Sequence, residues 1–89
     1  MFDEFVVYIN PDCNPCKMLK SWLDKQGITY VEKDIINDKQ AAREFMSMGL
    51  NFTPYSQIIV KGIKYDVVGA DVMKITDILR FSDGGTDEY

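Results

Sequence analysis

Cys13 and Cys16 are the only cysteines of the 89-residue chain, and they stand together as Cys13-Asn14-Pro15-Cys16. They lie where an apolar run, Phe5 to Ile9, gives way to a helix-like segment. A helix N-terminus offers unpaired backbone N–H groups and the positive end of the helix dipole, and both favour a thiolate. Cys13, nearer that end, is the candidate nucleophile. Cys16, one turn behind, can attack a mixed disulfide formed at Cys13 and close a Cys13–Cys16 bond, which is the chemistry of thiol–disulfide exchange. Cysteines so placed titrate at about 3.5–7.5 instead of roughly 8.5. Within the motif Asn14 fills the turn. Pro15 fixes φ in the first helical turn, where its missing N–H costs nothing, and stiffens the loop that holds the two sulfurs. Lys17 adds positive charge beside the motif, although at this spacing its head is better placed in solvent.

The elements that must position these thiols read as alternating strands and helices. Phe5 to Ile9 is rich in β-formers and ends at Asn10-Pro11-Asp12, which fits a buried central strand and a turn. From Pro15 to Lys25, Met18, Leu19, Trp22 and Leu23 recur at helical spacing, and Gly27 stands where a helix stops. Thr29 to Asp34, with an extension to Ile36, reads as a second strand, parallel to the first because a helix connects them. Asn37 with Gln40 resembles a capping box that opens a helix through Met48, with Ala41, Phe45 and Met48 inward and Gly49 as its stop. Gln57 to Val60 and Tyr65 to Val68 flank a Lys61-Gly62 turn, the pattern of an antiparallel hairpin. Asp71 caps a last helix in which Val72, Ile75, Ile78 and Leu79 form the buried stripe. The order βαβαββα is that of an α/β domain over residues 1–81, with a mixed sheet covered on both faces. An acidic, flexible tail is expected over 82–89.

Composition removes several kinds of chemistry. The chain has no histidine, which excludes Cys-His hydrolases, His-coordinated zinc and His-based acid–base catalysis. A formal charge of -4 with no basic cluster argues against nucleic acid and anionic membranes as partners. A structural zinc needs four ligands, and two thiols do not supply them unless two chains combine; no metal and a monomer are expected. Met1 to Asn10 lacks a signal peptide's basic start and long apolar core, so a reducing cytosol is expected. There, a close cysteine pair is more often catalytic or metal-binding than a structural staple. Trp22, Met18, Met46 and Met48 read as core or groove filler.

Phe5 to Leu23, with its strand, Asn10-Pro11-Asp12 turn, Cys13-Asn14-Pro15-Cys16 motif and Lys17-Met18-Leu19 continuation, resembles the opening of a glutaredoxin. It is equally similar to the small glutaredoxin-like electron donors of ribonucleotide reductase. The later half resembles thioredoxin more closely: Thr53-Pro54 occupies the place of a proline that in this superfamily is cis and lies against the dithiol, and Tyr55 to Gly62 and Val68-Gly69-Ala70 match the thioredoxin hairpin in spacing. Matching the hairpin to a glutaredoxin's instead would put Ser56 in the cis position, which a serine fills only at high cost.

The resemblance implies a thioredoxin-like fold, a four-stranded mixed sheet flanked by three helices, and a dithiol–disulfide oxidoreductase acting on protein disulfides. Cys13 would be its nucleophile and Cys16 its resolving thiol. No tightly bound cofactor is implied; glutathione or a thioredoxin reductase would supply electrons, and ribonucleotide reductase is one client it suggests. A substrate or glutathione groove would take in Asn10, Thr53, Pro54, Tyr55, Gly69, Ala70 and Asp71. Here the sequence departs from glutaredoxins: Asn10 stands near the place of a glutathione-binding lysine, no tyrosine lies between the cysteines, and Gly69-Ala70-Asp71 stands where Gly-Gly and an acid are usual. Val7 replaces the buried aspartate of thioredoxins. The competing reading is a binding subunit that uses the dithiol and proline groove only for docking. Tyr55 would contact a partner there or pack in the core, and Asp71 is a helix cap before it is a ligand.

Overall fold

The computed structural model describes residues 2–82, with side chains through residue 80. Five of the six residues of β1 (Glu4–Ile9) are buried, as its unbroken apolar run requires of a strand covered on both faces. The chain continues through α1 (Asn14–Lys25), β2 (Val31–Asp34), α2 (Lys39–Ser47), β3 (Tyr55–Val60), β4 (Ile63–Val68) and α3 (Val72–Ser82). The sheet order is β2-β1-β3-β4. β1 and β2 are parallel, with Val7 opposite Glu32, while β1–β3 and β3–β4 are antiparallel.

Side-chain alternation along β1 creates two cores. Phe5, Val7 and Ile9 face one side, where they meet Leu19 and Leu23 of α1 and Ile75 and Ile78 of α3. Val6 and Tyr8 face the other and pack with Phe45 of α2 and Tyr55 of β3. The smaller core has a polar fastening at its edge. Glu44 of α2 accepts hydrogen bonds from the Lys33 ammonium at 2.7 Å and the Tyr8 hydroxyl at 3.1 Å, tying α2 to β2 and β1. The Lys33 ammonium holds the Glu44 carboxyl below its usual range, and burial, followed by the bond to Glu44, raises the Tyr8 phenol.

Several boundaries differ from those expected. β2 begins at Val31 and ends at Asp34, so Thr29, Tyr30 and Ile36 lie outside it. The reason at its end is Asp34, whose carboxylate accepts from the backbone N–H of Ile36 and Asn37 and from the Asn37 amide, and so turns the chain. That engagement also moves the cap of α2. With Asn37 committed to Asp34, Asp38 becomes the N-cap and accepts from Gln40 N and Ala41 N. Met48 is the C-cap and half-buried, while Met18 and Met46 are 68% and 73% exposed and fill no core.

The hairpin strands are each two residues longer than expected: Tyr55 and Ser56 join β3 by pairing with Val68 and Val67, and Ile63 and Lys64 join β4 because Lys61 and Gly62 form a two-residue connection with φ of 52° and 80°. Positive φ at both positions is the turn geometry that matches strand twist. Asp71 does begin α3: its carboxylate accepts from Lys74 N at 3.0 Å. Ser82, placed in the tail by the sequence, is the last residue of α3. The expected acidic tail beyond it lies outside the described residues. Among the described residues no helix is long and apolar enough to cross a membrane.

Candidate functional site

The chain reaches the two cysteines through a tightly bonded turn. The Asn10 side-chain oxygen accepts from Asp12 N at 2.9 Å, and the Asn10 carbonyl accepts from Cys13 N at 3.0 Å. Asn10, expected near a groove, therefore has its side chain engaged in shaping the turn that delivers Cys13. Cys13 is the N-cap of α1, with extended φ and ψ of -95° and 113°. Its sulfur takes the place a Ser or Asp oxygen has in an ordinary cap: Cys16 N donates to Cys13 Sγ at 3.2 Å. Asn14 and Pro15 form the first exposed turn, and Lys17 is exposed. Cys13 and Cys16 are joined as a disulfide, with Cα atoms 5.2 Å apart, inside the usual range for such a bond. The two sulfurs have opposite surroundings: Cys13 is half-buried at the surface, whereas Cys16 is 1% exposed and belongs to the core beneath.

The opposite wall comes from the approach to β3. The Thr53-Pro54 peptide is cis, and the Thr53 carbonyl oxygen lies 3.6 Å from Cys13 Sγ. Pro54 is buried, and its carbonyl accepts from Gly69 N at 2.8 Å, which brings the exit of β4 against the same loop. Gly69, with φ of 84°, makes a turn that disfavours any side chain, and Ala70 follows, half-buried. Thr53, Pro54 and Gly69 are thus linked beside the dithiol, while Asp71 caps α3. Tyr55 does not join this wall. It is 5% exposed and packs against Tyr8 and Phe45 on the far face of the sheet, because strand alternation sends it away from Pro54 and Ser56.

Further residues shape the site without a motif to announce them. Phe52, directly before Thr53, is 64% exposed. A cavity of about 190 Å³ lies behind the dithiol, lined by Ile9, Pro11, Cys16, Lys20, Glu32 and Asp34 among others. Lys20 and Glu32 form an ion pair across it at 3.0 Å. Asp34 is held below the usual carboxylate range, chiefly by the Asn37 amide, with Lys20 adding attraction. In the sequence Lys20 reads as one more polar residue of an amphipathic helix. Only the parallel pairing of β2 with β1 brings Glu32 and Asp34 to it. Among the described residues no cluster of three or more His, Cys, Asp or Glu could hold a metal.

Taken together, a capped, accessible sulfur bonded to a buried one and walled by a cis proline is an arrangement suited to reversible disulfide chemistry. Comparison with known proteins places it in a family. The thioredoxin-like protein YosR, derived from the SPbeta prophage of Bacillus subtilis, is 35% identical over 43 residues, covering 48% of this chain and 54% of that protein. The match thus spans about half the length of that curated relative. Among solved structures, a mutant of the thioredoxin-like protein BC3987 has a TM-score of 0.71 at 27% identity, over 85% of this chain and 99% of that one. Thioredoxin f2 of Chlamydomonas reinhardtii, at 20% identity, has a TM-score of 0.68 over 85% of this chain and 74% of its own and shares the fold. The fold is thioredoxin-like. The family model for glutaredoxin matches residues 5–63, from the first core residue of β1 past the hairpin turn, and the chain, with its Cys13-Cys16 dithiol, belongs to the glutaredoxin family.

Proposed function

We propose that this protein is a dithiol–disulfide oxidoreductase that reduces protein disulfides, with Cys13 as nucleophile and Cys16 as resolving thiol. The observation that carries the reading is the Cys16 N–H directed at Cys13 Sγ from the first turn of α1. A donor held there by the helix stabilises the thiolate of Cys13 in the reduced protein and costs no reorganisation when that thiolate forms. Cys13 attacks a substrate disulfide and forms a mixed disulfide, releasing one substrate thiolate. The Cys16 thiol, once deprotonated, attacks Cys13 Sγ, closes the Cys13–Cys16 bond and releases the second. Thr53 O and the buried Pro54 form the wall beside which an extended substrate segment is held.

Two electrons must then return to the pair, from glutathione or from a thioredoxin reductase. The protein works as a monomer in a reducing cytosol, without a tightly bound cofactor, and ribonucleotide reductase is the client that the likeness to small glutaredoxin-like donors favours. Turnover of a model disulfide, coupled separately to glutathione with its reductase and to a thioredoxin reductase, tests the reading. Activity is expected with at least one, and the faster donor identifies the physiological class. Turnover with neither would sink the enzyme and leave the docking groove of Cys13, Thr53 and Pro54 as its function.

A further inference from the structure

Buried polar atoms in folded proteins nearly always have a hydrogen-bond partner, because water lost from an unpaired group is not replaced. Ser56 departs from this. It is 0% exposed, and its hydroxyl has no partner among the described residues. Its position in the sheet restricts what could become one. Ser56 lies opposite Val7 on one side and Val67 on the other, so its side chain joins theirs on the face covered by α1 and α3. It is the first residue of β3 to face that core, three positions beyond Thr53, whose carbonyl oxygen is 3.6 Å from Cys13 Sγ. Among the described residues every other buried side chain of that core is a hydrocarbon except Cys16.

In the disulfide form no acceptor among the described residues, sulfur included, stands in hydrogen-bonding position to this hydroxyl. A sulfur tied into the Cys13–Cys16 bond carries no charge and is a weak acceptor. Reduction changes this. When a reductant thiolate attacks Cys13 Sγ, a new S–S bond forms there, the Cys13–Cys16 bond breaks, and its electron pair stays on Cys16 Sγ inside the core. A buried anion without a donor is strongly disfavoured. Given the redox cycling described above, we propose that the Ser56 hydroxyl donates a hydrogen bond to the Cys16 sulfur in the reduced protein. The hydroxyl unpaired in one state and the sulfur unpaired in the other then satisfy each other when the disulfide opens. A bond made only in the reduced form raises the reduction potential, as any stabilisation of a reduced dithiol does.

Ser56→Ala removes the hydroxyl and adds nothing to the core. Equilibrated in glutathione redox buffers and scored by thiol alkylation and mass spectrometry, the variant is expected to be more oxidised than wild type. Its equilibrium constant for reduction should fall roughly tenfold, about 30 mV for a two-electron couple. Thermal unfolding of each redox form gives the second readout: the oxidised variant should be at least as stable as oxidised wild type, and the reduced variant less stable than reduced wild type. An unchanged constant, or an equal loss of stability in both forms, would overturn the assignment, since a merely structural serine moves both forms together. Failure of the redox reading itself shows in wild type, whose cysteines would then not interconvert in the same buffers. That result removes both proposals, whereas a wild type that cycles with a constant unmoved by Ser56→Ala removes only this one.

Discussion

The two cysteines differ in chemistry because they differ in surroundings, and single substitutions should separate their roles. Cys13→Ser is expected to abolish turnover, since the one other thiol of the chain, that of Cys16, is buried in the core. Cys16→Ser leaves the nucleophile and removes the resolving step. Mixed disulfides with substrate should then accumulate, visible as a mass increment in the intact protein that a reductant removes. A variant that turned over at the wild-type rate without Cys16 would overturn its assignment. Asp34 is a residue-scale case with a pH signature. Its carboxyl is lowered chiefly by the Asn37 side chain. A carboxyl with a folded pKa below the unfolded one, about 3.9, contributes stability above that value and loses it as pH falls through the folded pKa. Asn37→Ala should therefore bring the Asp34 titration, followed by carboxyl NMR, back toward its ordinary value and flatten the acid limb of the stability profile.

At the scale of the element, local chemistry decides where segments start and turn. Asp38 serves two backbone N–H groups at the start of α2. Asp38→Ala should cost about 1 kcal/mol of unfolding free energy in denaturant titrations. Asn37→Ala should not produce this capping loss, since Asn37 contributes nothing to the cap. Gly62 carries one of the two positive φ angles of the hairpin turn, with nothing within 4 Å of an added Cβ. The cost of Gly62→Ala is therefore conformational, about 1–2 kcal/mol by the same measurement. Strand periodicity and Gly punctuation made these elements legible in the sequence. The cap of α2 was not, because Asn37 and Asp38 are both capping residues and the choice depended on Asp34 reaching Asn37 across the turn.

The whole molecule is a sheet with a core on each face, and the dithiol sits at the end of the larger one. Ile75 of α3 is fully buried there, in the core that β1, β3 and β4 share with α1. Ile75→Ala should cost about 2–5 kcal/mol in thermal or chemical unfolding. That is a large share of the roughly 5–15 kcal/mol that holds a domain of this kind together. By itself the sequence determined the α/β order, the central strand, the placement of Cys13 at a helix start and the proline beside it, because helix periodicity, strand runs and a CxxC spacing are local patterns. Tertiary structure alone decided the rest. Tyr55 went to the far face by strand register; Lys20, Glu32 and Asp34 met behind Cys16 by parallel pairing; and Ser56 was sealed into a hydrocarbon core with Cys16. Each depends on residues distant in sequence becoming neighbours across the sheet, a relation that no local pattern encodes.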